Sequence, residues 1–386
     1  MEIKKLIHGV AINDLHFGIK ESKRVYEELI QFKDYLQNNP DIQFCIIDGD
    51  YFQCKLSISD PASYIAISFF KELSDICKKQ HIKLRIVHGT KSHDMFQIDI
   101  FQPFTTDIDL DMRIIKTVEE EDLCGLHVLY LPEEYPMNVE EYYAPYKATD
   151  KRYNCIFGHG TWDFVAQQGL EEKSNNNETH TAPVFMWKEW KHTVPNGFIS
   201  FGHIHGRNVY SNKIYYSGAF SIWNYVESDK VGRGFTDITY NLSDLTYDVH
   251  FVDNTMAPKF ETLALSDIDI DIDNDPMETV ISKMKTKIES VNEHNDNVRF
   301  ILRDVAAEKV KLIKDVFNRE PNVKFECKVA KSSILKESSD RKNFKKYEYL
   351  TKKTMPLAES IQKFCKEDMD YNISIEKINE VLTDNG

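Results

Sequence analysis

Two histidines spaced two apart, His203 and His205, stand at the end of an apolar run, Phe198-Ile199-Ser200-Phe201-Gly202. Such a run reads as a buried strand, and a spacing of two lets both imidazoles face one side of its end. Together they look like one wall of a metal site. Alone the pair is weak, because two histidines at this spacing serve equally well as solvent-facing or hydrogen-bonded structural residues. The same grammar recurs upstream, however. Val10-Ala11-Ile12 leads to Asp14-Leu15-His16, Phe44-Cys45-Ile46-Ile47 to Asp48-Gly49-Asp50, Leu84-Arg85-Ile86-Val87 to His88-Gly89, and Cys155-Ile156-Phe157 to Gly158-His159. In a parallel or mixed sheet flanked by helices, ligands bind at the carboxyl ends of the strands. Five strand ends would then converge on one place.

The donors are carboxylate oxygens and imidazole nitrogens, with no thiolate. That mixture suits manganese, iron or zinc better than calcium, and argues against an all-oxygen magnesium cage. The candidates are too many for one ion. Two ions roughly 3.5–4 Å apart, bridged by a carboxylate and a water, would activate water near neutral pH and clamp the oxygens of a phosphoryl group.

The elements that must position these residues alternate. Residues 5 to 12 read as a strand, and Val25, Tyr26, Leu29, Phe32 and Leu36 recur at helical spacing before Pro40 stops the run. A second strand reaches Asp48, a second helix runs over residues 63 to 80 through Phe69, Phe70, Leu73 and Ile76, and Ile82 to Val87 is a third strand. This order predicts an α/β domain with right-handed crossovers. Residues 113 to 118 and 126 to 131 add two strands, and Pro132 to Pro145 is an acidic, tyrosine-rich connection. After His205 the pattern is strand and turn, Ile214 to Ser217, Phe235 to Tyr240 and Thr246 to Val252, which is expected to form the second sheet of a two-sheet core.

A catalytic domain over 1–257 is followed by a smaller α+β module over 258–330, a basic linker over 331–354 and a helical tail over 355–386. At the junction, Asp267, Asp269 and Asp271 with Glu278 mimic EF-hand spacing, but Ile272 stands where that loop needs glycine and Pro276 falls inside it. A period-two edge strand with outward carboxylates is the better reading. In the tail, Leu357, Ile361 and Phe364, then Ile375, Ile378, Val381 and Leu382, form two amphipathic segments suited to docking a partner.

Composition sets bounds. Of the 386 residues 41% are hydrophobic and 28% charged, as in a soluble globular protein with ample core. Seven scattered cysteines without a Cys-x-x-Cys pair argue against zinc-finger or disulfide frameworks. The opening residues run straight into the first strand without a signal-like apolar region, and no run approaches transmembrane length, so a cytoplasmic protein without membrane contact is expected. The formal charge of −14 excludes a generally basic surface but leaves room for a nucleic-acid enzyme whose metals and local basic stripe meet the phosphates.

Asp14-Leu15-His16, Gly49-Asp50, Gly158-His159 and Gly202-His203-Ile204-His205, in this order, resemble the motifs of the calcineurin-like metallophosphoesterases. Within that superfamily the chain is similar to the SbcD-type nuclease subunit of double-strand-break repair complexes, including phage recombination nucleases. The resemblance covers roughly residues 5 to 250 and implies a two-sheet sandwich flanked by helices. It implies two divalent ions, Mn2+ foremost, with Asp14 and His16 on the first, Asp50 bridging, His159 and His203 on the second, and His205 returning to the first. The family's third motif, Gly-Asn-His-Asp or Gly-Asn-His-Glu, supplies an asparagine ligand and a histidine acid. Here the stretch reads His88-Gly89-Thr90-Lys91-Ser92-His93-Asp94. A gapless match makes His93 the acid and puts Ser92, a poor ligand, at the asparagine position, so His88 is the candidate replacement on the second ion. Gln53 is assigned no metal.

Downstream, Tyr215 to Phe220, Glu227 and Lys230-Val231-Gly232-Arg233-Gly234-Phe235 look like the nuclease-branch turns, although two ordinary glycine turns would read the same. Arg207, Lys230 and Arg233 are the candidate phosphate contacts to DNA. The resemblance further implies that the α+β module caps the nuclease and that the tail binds the coiled coil of an SMC-like ATPase, with a homodimer inside a heterotetramer. The expected function is a DNA nuclease subunit for repair or recombination, an exonuclease with endonuclease action also open. The competing readings are a stand-alone phosphatase acting on nucleotides or phosphoproteins, which needs neither module nor tail, and a scaffold subunit whose altered third motif has lost catalysis.

Overall fold

Side-chain alternation decides the layers. In β2 (Phe44–Asp48), Cys45 and Ile47 point into one buried cluster while Phe44 and Ile46 point into another. The same division holds in β1 (Leu6–Ile12), where Val10 and Ile12 face one way and Ile7 and Ala11 the other. A strand buried on both faces reads as a continuous apolar run, and these do. The structure, a computed structural model, describes residues 5–19, 22–94, 97–167, 183–227, 232–293 and 296–328, with 358–359, 362, 366 and 374–384 of the tail.

The remaining strands are β3 (Lys83–Val87), β4 (Met112–Ile115), β5 (Glu119–Leu123), β6 (Leu126–Leu131), β7 (Cys155–His159), the short pair β8 (Thr161–Trp162) and β9 (Val184–Phe185), β10 (Phe198–Gly202), β11 (Asn208–Tyr210), β12 (Ile214–Tyr216), β13 (Gly234–Asn241), β14 (Thr246–Asp253), β15 (Phe260–Ala264), β16 (Asn297–Arg303) and β17 (Val323–Lys328). They build a six-stranded sheet in the order β14-β13-β1-β2-β3-β4 and a second in the order β11-β12-β10-β7-β6-β5. In the first, β1 to β4 are parallel, and in the second β6, β7, β10 and β12 are. The chain is therefore mixed α/β.

Three cores follow. Phe44, Ile46 and Val87 of the first sheet meet Val128, Tyr130, Phe157 and Phe198 of the second. On the far side of the first sheet lie α1 (Ser22–Asn38) and α2 (Pro61–Gln80), which bury Val25, Leu29, Phe32, Phe69 and Leu73 against Val10 and Ile47. Asp60 caps α2 by accepting from the Ala62 N–H at 2.8 Å, with Pro61 at the first helical position. The far side of the second sheet is covered by Trp162 and Phe185 from the short strands β8 and β9 and by Trp190 from a short helix, packed on Ile156, Ile199 and Phe201. Long helices thus flank one face of the pair.

Two sequence expectations are corrected. β13 and β14 do not join the second sheet, because β13 pairs antiparallel with β1 from Leu6↔Asn241 to Ala11↔Thr236 and closes the edge that β1 would leave open. The aspartate run is not an edge strand either. Asp267 accepts from the Ala264 N–H at 2.7 Å within a 3-10 turn, Leu265–Ile268, and Asp271 accepts from the Asp273 and Asn274 N–H groups at 3.1 and 3.2 Å. Short carboxylates compete for backbone donors and fold the segment into turns.

Residues 260–328 carry a third, parallel sheet, β15-β16-β17, and two helices, Met277–Glu293 and Ala307–Val316. They share a core of Val280, Met284, Ile288, Val298 and Phe300. The linker and Leu357, Ile361 and Phe364 lie outside the described residues. Ile375–Asp384 is helical and buries Ile378. Among the described residues no helix is long and apolar enough to cross a membrane.

One buried charge ties the two large sheets together. Arg85 of β3, 1% exposed, donates to both oxygens of Glu121 in β5 at 2.9 and 2.6 Å, and Tyr130 donates to Glu121 at 2.9 Å. Arg85→Met would leave the Glu121 carboxylate only the more distant Arg113 guanidinium at 3.5 Å, and breaking a buried pair costs up to roughly 3–5 kcal/mol. Urea unfolding is expected to register that loss, and Arg85→Met with Glu121→Leu to recover most of it.

Candidate metal centre

The loops that follow the parallel strands β1, β2, β3, β6, β7 and β10 meet at their carboxyl ends. Their backbones are held in unusual shapes there. Asp14, His16, Asp50 and His203 have φ values of 52°, 50°, 50° and 92°, the left-handed region that non-glycine residues occupy mainly where surrounding structure enforces it. The enforcing bonds are present: Asp14 N–H donates to the Gly49 carbonyl at 3.1 Å and His16 N–H to the Asp50 carbonyl at 3.0 Å. The Asp14 carboxylate in turn accepts from the His203 N–H at 3.0 Å. Gly202 is required by close approach, since a Cβ there would lie 2.2 Å from the Asp48 carbonyl and 2.7 Å from His159 Nδ1.

Among the described residues, donor atoms within 4.8 Å of one another form three overlapping groups: Asp14, His16 and His205; His16, Asp50 and His93; and Asp50, His159 and His203. His16 belongs to two of them and so does Asp50. Buried clusters of this composition can bind a metal ion.

Second partners fix which nitrogen of each ring is free. His159 Nδ1 lies 2.7 Å from the Asp48 carbonyl, which only accepts, so Nδ1 carries a proton and Nε2 faces Asp50 Oδ2 at 3.2 Å. His205 Nδ1 meets Glu227 Oε1 at 2.9 Å, leaving Nε2 at 2.9 Å from His16 Nε2. Both of those nitrogens lie within 3.8 Å of Asp14 Oδ1. Two imidazole nitrogens and a carboxylate oxygen turned on one point are a donor set that a divalent cation fits, with histidine orientation set by outer partners in the usual way.

Electrostatics agree with neutral imidazole donors at this end. Burial, followed by His205, holds His16 well below the ordinary histidine pKa, and burial lowers His203. Burial would raise Asp50, but His159, His93 and His16 outweigh it and hold the carboxylate well below its usual range. His159 is the partner in that pair: burial opposes its charge, yet Asp50, Asp14 and Glu133 raise it well above the ordinary value. A cation at this point competes with that proton.

The third strand end is corrected. His88 belongs to none of the three groups; its N–H donates to the Ile115 carbonyl at 3.0 Å and its carbonyl accepts from Glu133 N–H at 3.2 Å. Burial lowers its pKa to about 4, and the charges that bear on it are Asp99 and Lys116, away from the site carboxylates. It is not placed to replace the asparagine. β3 ends at Val87, so the chain after it no longer alternates, and the loop brings Thr90 to the site. The Thr90 hydroxyl lies 3.2 Å from Asp50 Oδ2, 3.2 Å from Glu133 Oε2, 3.3 Å from His159 Nε2 and 3.5 Å from His203 Nδ1. Ser92 sits in the short helix Lys91–Asp94.

That helix delivers His93. Its ring centroid is 5.0 Å from that of His16, and its Nδ1 donates to the Gln53 carbonyl at 2.6 Å, so Nε2 is the nitrogen able to exchange a proton. Asp94 clamps the loops beneath it, accepting from Phe52 N–H at 3.1 Å and Gly89 N–H at 2.9 Å. Burial, then Asp50, raises Asp94 to about 7.

Of the proposed DNA contacts, Arg233 is corrected. It is 4% exposed and donates to the Glu227 carbonyl at 3.1 Å, so it braces the residue that orients His205 and does not face solvent. Arg207 pairs with the exposed Asp253 at 2.6 Å and stacks over Phe251 at 4.5 Å, which engages its guanidinium within the chain. Lys230 lies outside the described residues.

Thr90 and Glu133 were not identified from sequence. Glu133 follows β6 by two residues, the same strand-end position that exposed the other donors, but Pro132 and the acidic stretch after it read as connection. No family model and no curated protein matches the chain. A solved structure of an unspecified protein aligns with 64% of this chain and 99% of its own at a TM-score of 0.35 and 10% identity. A glutamine-dependent NAD+ synthetase from Acinetobacter baumannii in complex with adenosine diphosphate aligns over 94% of this chain and 70% of its own at a TM-score of 0.28 and 8% identity. Neither likeness carries an argument about fold or function.

Proposed function

We propose that the chain is a metal-dependent phosphodiesterase of the calcineurin-like metallophosphoesterase class, acting as a two-metal DNA nuclease subunit with an SMC-like ATPase. The observation that supports it most is the overlap of the His/Asp groups at Asp50, one of which contains His93. Asp14, His16 and His205 would hold one ion, His159 and His203 the other, and Asp50 both; Mn2+ suits the mixed oxygen and nitrogen donors. Ions held there would lower the pKa of water toward neutrality and neutralise phosphoryl oxygens.

The chain's own residues supply the rest. His93, its Nδ1 proton fixed on the Gln53 carbonyl, delivers a proton from Nε2 to the leaving oxygen as the P–O bond breaks. Glu227, braced by Arg233, holds the tautomer of His205, and the Asp48 carbonyl holds that of His159. The basic linker and tail, by their sequence, are the parts suited to DNA and to the ATPase.

One observation favours a second reading, a phosphatase acting on nucleotides or phosphoproteins: Arg207 and Arg233 are engaged within the chain. The experiment is Mn2+-dependent digestion of end-labelled linear duplex DNA, alone and with the ATPase, beside turnover of a small phosphomonoester. The nuclease reading expects DNA cleavage that a chelator stops. Phosphomonoester turnover with intact DNA under every condition selects the phosphatase.

A further inference from the structure

The family's asparagine has no counterpart among the residues turned toward His159 and His203. Ser92 is on the short helix, His88 is in none of the three donor groups, and Thr90 brings only a hydroxyl. What surrounds that hydroxyl is unusual for an ordinary hydrogen-bonded threonine. Two carboxylate oxygens, from Asp50 and Glu133, and two imidazole nitrogens, from His159 and His203, lie within 3.5 Å of Oγ1. A hydroxyl has one proton and cannot satisfy two carboxylates at once. Glu133, like His88, is a member of none of the three donor groups, but it is 8% exposed and its Oε2 is 3.6 Å from His203 Nδ1, beside the third group. Its other oxygen, Oε1, accepts from the Tyr135 hydroxyl, which turns Oε2 toward the histidines.

We infer that Glu133 is a ligand of the second ion, a carboxylate from the end of β6 taking the place of the amide that the third strand end lacks. This rests on the two-metal reading above. A carboxylate binds hard divalent cations more tightly than a neutral amide, and this substitution moves the donor from the first sheet to the second. The altered third motif then does not leave the second site short of a ligand, and the scaffold reading loses its basis.

The test counts ions and needs no activity. Full-length protein is dialysed to equilibrium against Mn2+ and bound metal is measured per chain. The wild type is expected to bind two ions. Glu133→Gln, which keeps the shape and removes the charge, is expected to bind one, with the affinity for that ion unchanged and the affinity for the second lowered at least tenfold. Glu133→Asp, which keeps the charge on a shorter arm, is expected to bind two, the second more weakly than in the wild type, and this comparison stands even if Glu133→Gln does not fold. Two ions at unchanged affinity in either variant would overturn the role of Glu133 alone. Loss of both ions in folded Glu133→Gln would overturn it too, by showing an effect on the whole centre. Fewer than two ions in the wild type would instead overturn the two-metal reading on which the inference rests.

Discussion

Replacing Asp50 by asparagine is expected to lower Mn2+-dependent phosphodiester cleavage by more than about 10³-fold, beyond what loss of a single stabilising donor produces. Asp50 is the sole carboxylate in two of the three donor groups, where it stands beside His16 and His93 on one side and His159 and His203 on the other. Its Oδ1 accepts from the Thr90 N–H at 2.6 Å, so the carboxylate is already oriented by the third strand end. Asparagine keeps the size and one oxygen but removes the charge that offsets a cation and the two-sided acceptor that a shared ligand needs. The measurement is cleavage rate together with bound metal, which is expected to fall for both ions. An Asp50→Asn protein that still binds two ions would show that the carboxylate is not shared.

His93→Gln is expected to behave differently. Metal content stays at the wild-type level, while kcat for DNA falls by about 10²–10⁴-fold, the usual contribution of a positioned acid. The loss is specific to leaving groups that need a proton. With bis-p-nitrophenyl phosphate, whose leaving oxygen is stable as the anion, the same variant is expected to lose far less. Equal losses on both substrates would assign His93 to metal binding or to positioning, which its place in a donor group with His16 and Asp50 makes the natural competitor.

Much of the candidate centre was legible because, His93 on its short helix aside, each member of the three donor groups is an Asp or His at or just beyond the end of an apolar run. β1, β2, β7 and β10 follow that rule, and their donors meet. His88 obeys the same rule yet joins none of the three donor groups, while Thr90 reaches the site from the loop beyond β3, and the path of a loop cannot be read from composition. Glu133 was hidden by its neighbours: among Glu134, Glu140 and Glu141 a single buried carboxylate has no local mark. Arg233 was misread for the converse reason, because a basic residue between two glycines looks solvated until Glu227 is seen against it. The first sheet's helices were written in 3.6-residue periodicity, whereas the partnership of β13 with β1 joins residues more than two hundred positions apart and leaves no local trace.

The donors of each candidate ion come from both large sheets. Asp14, His16 and Asp50 follow strands of the first; His159, His203, His205 and Glu133 follow strands of the second. A cation held among them is therefore a cross-link between two layers that also meet through apolar side chains, the Arg85–Glu121 pair and a few hydrogen bonds such as that of Ser200 to Asp48. Ligand binding to the folded state alone adds about 2.7 kcal/mol of stability at a hundred times the dissociation constant. Docking of the layers and loading of the candidate centre are then one event seen from two sides, and sliding of one sheet on the other would pull its donors apart.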